Sequence, residues 1–86
     1  MNIYETPQAT ADLDFWRESD PKIYARIEAL IASIEADHFK GLGKPEPLKY
    51  ERPLWSRRIT KEHRLVYYVK AGELYIVAAR HHYTTL

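Results

Sequence analysis

Apolar positions recur at helical spacing in the first half of the chain and crowd into strand-like runs in the second. Ala9, Leu13 and Trp16 fall three or four residues apart. Thr6-Pro7, just ahead of them, reads as an N-cap followed by proline at the first helical position, so a first helix runs to about Glu18. Asp20-Pro21 repeats that signal after a break at Ser19-Asp20. Ile23, Ile27, Leu30, Ile31 and Ile34 then mark one face of a second helix over residues 22–37. The two helices form a hairpin. Ahead of them, residues 2–5 make a short edge strand.

From Phe39 the texture changes. Residues 40–47 hold two glycines and two prolines and read as a loop. Segments 55–60, 64–70 and 74–80 are rich in β-branched and aromatic residues and predict three strands. Lys61-Glu62 closes the first turn and Ala71-Gly72 the second, giving an antiparallel meander. Helices first and strands later predict an α+β fold, with both helices packed on one face of a small twisted antiparallel sheet and the other face open. On the middle strand Leu65, Tyr67 and Val69 form the more apolar side and face the core, so Arg64 faces out with Val66 and Tyr68. Arg57 and Arg58 are adjacent, so one of them joins Arg64; the register that decides which is not in the sequence.

Composition narrows the class. A length of 86 residues predicts one domain, 1–86, and 45% apolar with 13% aromatic residues is enough for one packed core. The absence of cysteine excludes disulfides and thiolate metal sites. The N-terminus has no basic head followed by an apolar stretch, and the longest apolar run, 74–79, is far too short to span a bilayer, so a cytoplasmic chain with no membrane partner is expected.

Charge is polarised. Residues 1–39 carry eight acids against three bases, and residues 40–86 carry ten bases against four acids. Such a field suits an anionic partner on one side. The basic half also holds the chemistry. The last apolar run ends in Arg80-His81-His82-Tyr83, Glu46 stands between two prolines, and Arg57, Arg58 and Arg64 lie between them. A base, an acid, cations and a stacking ring are the groups needed to cut a phosphodiester, with no metal or other cofactor expected. His81 and His82 point to opposite sides of a continuing strand and do not share an ion. Gly41-Leu42-Gly43 is no phosphate loop, since no strand precedes it and no helix follows.

Four motifs stand in order: Gly41-Leu42-Gly43-Lys44-Pro45-Glu46-Pro47-Leu48-Lys49, Trp55-Ser56-Arg57-Arg58-Ile59-Thr60, Glu62-His63-Arg64-Leu65-Val66-Tyr67 and His82-Tyr83. With Asp12-Leu13-Asp14-Phe15-Trp16 and Asp20-Pro21-Lys22-Ile23 in the helices, the chain resembles the YoeB (Txe) toxins of the RelE/ParE-like superfamily of bacterial toxin–antitoxin systems along nearly its whole length. The resemblance implies a RelE-like fold and a ribosome-dependent endoribonuclease that binds the 70S A site and cleaves mRNA there. It further implies a homodimer neutralised by a YefM-type antitoxin. It assigns catalysis to Glu46, Arg64, His82 and Tyr83, with Lys49 and Arg58 holding phosphate; Lys44 and Arg57 complete the expected RNA-binding set. The chain departs from the family at residues 50–54, at His81, where an aromatic is common, and in Thr84-Thr85-Leu86 beyond the tyrosine.

The assigned roles make physical sense. Attack by a 2′-hydroxyl needs a proton acceptor, stabilisation of the phosphorane and a donor for the departing 5′-oxygen. Glu46 is the candidate base, and its flanking prolines stiffen the loop that carries it. Arg64 offers a planar fork that matches two phosphate oxygens. His82 is the candidate acid, since imidazolium gives up a proton near neutral pH. Tyr83 orients the phosphate or stacks on a base. Two other readings stand beside this one: a ParE-like inhibitor of DNA gyrase that acts by binding, and a non-catalytic module whose basic sheet holds an acidic peptide.

Overall fold

The computed structural model describes residues 1–81. The elements run β1 (Ile3–Glu5), α1 (Pro7–Ser19), α2 (Pro21–Ala36), β2 (Glu46–Pro47), β3 (Trp55–Arg58), β4 (Arg64–Lys70) and β5 (Glu73–Ala78). The expected α+β architecture is present, with two helices and a five-stranded sheet in the order β1-β5-β4-β3-β2.

Local chemistry sets the helix ends. The Thr6 side chain accepts from the Ala9 backbone N–H at 3.1 Å, and Pro7 takes the first helical position, where a missing N–H costs nothing. Asp20 does two jobs. Its backbone N–H donates to the Trp16 carbonyl at 2.9 Å and closes α1, while its carboxylate accepts from Lys22 and Ile23 and opens α2. The helices therefore meet with no linker.

Three strands follow the expected meander, and positive φ at Ala71 and Gly72 carries the β4–β5 turn. Two findings differ from the expectation. Glu46–Pro47, read as loop, forms a two-residue edge strand on β3. β1 does lie at an edge, but it pairs with β5 in parallel, Tyr4 opposite Tyr75, so the sheet is not wholly antiparallel.

The core lies between the helices and one sheet face. Ala9, Leu13 and Trp16 from α1 and Ile27, Leu30 and Ile34 from α2 pack on Leu65, Tyr67, Leu74 and Ile76. Each fully buried leucine or isoleucine contributes roughly 1.5–3 kcal/mol. Val69, the third inward residue expected on β4, is partly buried against the same cluster. Among the described residues, no helix covers the opposite face. Along it Tyr4, Tyr75 and Tyr68 stack across three strands, with centroids 5.2 and 4.7 Å apart. Farther along that face lie Ser56, Arg58, Arg64 and Glu46.

Candidate functional site

Register brings the charged residues together. Arg58 pairs with Arg64 across β3 and β4, and Glu46 pairs with Ser56 across β2 and β3. Directly opposite residues share a face. Arg58, Ser56, Arg64 and Glu46 therefore all belong to the helix-free side.

Arg64 is the centre of the group. It lies on the outer face as expected, yet it is only 6% exposed and is no ordinary surface arginine. Its Nε–H donates to Ser56 Oγ at 2.8 Å, which orients the fork, and Nη2 lies 3.2 Å from Glu46 Oε1. Burial lowers the Arg64 pKa and Arg58 adds to that effect, while the Glu46 carboxylate opposes it. A guanidinium still stays charged at any working pH. The result is a fixed, poorly hydrated cation beside an exposed carboxylate. This arrangement can hold a phosphate and offer a base next to it.

The resemblance-based residues divide clearly. Glu46, Arg58 and Arg64 come together. Lys44 and Lys49 are exposed on either side of β2 in the chain, Lys44 with φ of 51° and Lys49 with its ammonium 5.6 Å from the Tyr50 ring centroid. His82 and Tyr83 lie outside the described residues. The residue before them is tied in, since the Arg64 backbone N–H donates to the His81 carbonyl at 3.1 Å.

Arg57 is a correction. It was expected among the RNA-binding residues, but its position opposite Leu65 turns it to the core side, where it is 0% exposed. Nε donates to Tyr67 Oη at 3.1 Å. Nη1 donates to Ser33 Oγ and the Leu42 carbonyl, and Nη2 to the Asp37 and Lys40 carbonyls. A guanidinium has five N–H donors, and these bonds use all of them. Nothing remains for a phosphate. Arg57 instead ties the segment after α2 to the sheet. Tyr67 helps, as its phenol, raised in pKa by burial, stays protonated and donates to the His38 carbonyl at 2.8 Å. Gly43 completes the junction. Its φ is +84°, and a Cβ there would sit 2.7 Å from Leu30 Cδ2, so only glycine lets the loop pass so close. The same loop delivers Glu46.

Sequence reasoning gave no role to Ser56. The available signal was parity: Ser56 and Arg58 lie two apart on one strand and so must share a side. Among the described residues, no cluster of three or more histidines, aspartates or glutamates is arranged to hold a metal ion, and no helix is long and apolar enough to cross a membrane.

Known proteins share this fold and much of this sequence. The family described as YoeB-like toxin of bacterial type II toxin–antitoxin systems matches residues 5–83. The toxin YoeB of Streptomyces coelicolor is 51% identical over 84 residues, which are 96% of this chain and 100% of that one. The solved YoeB/ParE toxin from Agrobacterium tumefaciens superposes with a TM-score of 0.93 at 41% identity, covering 96% of this chain and 100% of that one. The Staphylococcus aureus YoeB dimer superposes with a TM-score of 0.91 at 39% identity, covering 96% of this chain and 98% of that one. The YoeB–YefM complex of the same species gives 0.89 at 38% identity, with coverage of 96% and 98%. The chain belongs to the YoeB-like toxin family of type II toxin–antitoxin systems.

Proposed function

We propose that this toxin is a ribosome-dependent endoribonuclease that cleaves mRNA in the A site. The supporting observation is the Glu46–Arg64 pair, 3.2 Å apart on the helix-free face, with Arg58 directly across from Arg64. In the proposed reaction Glu46 takes the proton from a 2′-hydroxyl. That oxygen bonds to the adjacent phosphorus, and the bond from phosphorus to the 5′-oxygen breaks. His82 protonates the departing oxygen, leaving a 2′,3′-cyclic phosphate. Arg64 and Arg58 hold the phosphorane charge, in a setting where fixed donors act more strongly than in water. Lys44 and Lys49 add positive field along the RNA, and Tyr83 orients the phosphate or a base.

The proposed partners are mRNA on the 70S ribosome, a YefM-type antitoxin and a second copy of the chain. The Staphylococcus aureus relative, solved as a dimer and with YefM, supports the last two.

Toeprinting on translating ribosomes with the purified chain tests the reading. The wild type should produce new 3′ ends at the A-site codon. Glu46→Gln and His82→Ala should remove them while preserving the fold. Wild-type rates in both variants, or gyrase inhibition without any RNA cleavage, would overturn it.

A further inference from the structure

Beyond the end of β5, three successive residues are each gripped from outside the strand. Ala79 is held at both backbone groups by α1: its N–H donates to Asp12 Oδ2 at 2.9 Å, and its carbonyl accepts from Trp16 Nε1 at 2.7 Å. The Arg80 guanidinium lies 3.6 Å from the Phe15 ring centroid. His81 is also held at both backbone groups: its N–H donates to His63 Nδ1 at 2.8 Å, and its carbonyl accepts from the Arg64 N–H at 3.1 Å. His81 has a φ of 67°, so the chain turns there in a conformation that non-glycine residues rarely adopt.

The two grips differ in necessity. Ala79 is buried, and its polar groups need partners whatever the function. His81 is exposed, and so is the bond its N–H makes to His63, so water can reach that N–H. A side chain committed to an exposed N–H serves position, not burial. His82 and Tyr83 come directly after His81 in the chain.

We propose that Asp12, Trp16 and His63 form a backbone clamp that fixes residues 79–81, the stretch that leads into the residues proposed for catalysis, and that the His63 imidazole is its releasable half. This rests on the ribonuclease reading only for its catalytic consequence. None of the three touches substrate in this scheme; they act as positioning residues through Ala79 and His81.

Release follows from the acceptor. Nδ1 accepts only while it carries no proton, so the clamp needs neutral His63 with its proton on Nε2. The ring lies edge-on to Trp16, with centroids 4.8 Å apart. The charged and titratable groups around it are Glu62 beside it, Asp12 on α1, and Arg80 and His81 beyond β5. Burial, then His81 and Arg80, lower its pKa against the opposing pull of Glu62 and Asp12. The clamp is therefore closed at neutral pH and opens once pH falls below the usual imidazole range. Acid inactivation then includes a step owed to His63.

Amide exchange on the full ¹⁵N-labelled chain tests this without RNA. His63→Phe keeps a ring against Trp16 and removes the acceptor. His63→Asn supplies an oxygen near the Nδ1 position that does not titrate. Relative to intrinsic rates, His81 exchange should rise about tenfold in His63→Phe, with Leu65 and Ile76 unchanged. It should stay near wild type in His63→Asn. On acidification the wild type should lose protection at His81 while His63→Asn keeps it. In cleavage assays His63→Phe should lower kcat with KM unchanged, and His63→Asn should lack part of the wild-type acid limb. Unchanged His81 exchange in His63→Phe, or parallel loss of protection in wild type and His63→Asn, would overturn the clamp. If His63→Phe does not fold, the pH comparison of wild type with His63→Asn decides. A wild type that cleaves no RNA would sink the ribonuclease reading instead, and the exchange results would still judge the clamp.

Discussion

Arg57 and Arg64 stand on opposite faces of one sheet, 0% and 6% exposed, and the difference between them organises the molecule. Arg57 faces the helices and uses every donor on neutral oxygens from three parts of the chain. Arg64 faces the open side, uses Nε on Ser56 Oγ and turns Nη2 toward the Ser56 carbonyl at 3.5 Å and a carboxylate that is 62% exposed, with no bond from Nη1 among the described residues. Low hydration does structural work in the first case. In the second it leaves a cation beside one exposed carboxylate, the arrangement on which the proposed reaction draws. The contrast teaches that burial alone does not assign an arginine; the number of donors already used does.

The largest effect should come from breaking the sealed side. Arg57→Ala leaves Tyr67, Ser33 and several carbonyls without their partner and should cost about 3 kcal/mol or more, read from urea unfolding. Arg57→Lys should recover little, because a single ammonium cannot reproduce five directed donors. A loss below ~1 kcal/mol would mean the loop has other anchors.

Arg64→Ala should show the reverse balance. Cleavage should fall by about 10²–10³-fold, as for other lost electrostatic contacts at a reacting group. The Glu46–Arg64 pair itself should matter little to folding, since a pair this exposed on one side contributes about 0–1 kcal/mol. Equal stability losses in Arg57→Ala and Arg64→Ala would erase the distinction between the two faces.

A smaller effect should follow Tyr67→Phe. It removes one acceptor for Arg57 and one donor to His38, at a cost of about 1–2 kcal/mol in thermal unfolding. Activity should survive, since the phenol faces the sealed side.

The smallest effect should be a pH dependence of stability. His63 has a folded-state pKa below its unfolded value, so the folded state resists protonation. Its contribution is present above the unfolded value of about 6.5 and is lost as pH falls through the lower folded value. Unfolding from pH 8 down to pH 5 should show that decline, and His63→Asn should flatten it.

Much of this was legible from the chain. Thr6-Pro7 and Asp20-Pro21 announced both helix starts because capping is a local event. The meander was legible because its strands and turns are adjacent in sequence. Neither the parallel β1–β5 pair nor the two-residue β2 was, as both depend on partners that local propensity cannot see, and Pro47 argued for loop. Arg57 and Arg58 could not be told apart, because a one-residue change of register exchanges their faces. Glu46 and Arg64 stood out as candidates by residue type and resemblance, but the hydrogen bond that orients Arg64 goes to Ser56, whose role emerges only once β3 is aligned with β4.

The parallel pairing of β1 with β5 has a consequence for synthesis. Among the described residues, the first strand pairs in the sheet only with residues 74–76, and the first helix is tied to Ala79. A growing polypeptide must therefore release that distant stretch from the ribosome before its first strand has a partner in the sheet. Until then the nascent molecule is an unfinished fold.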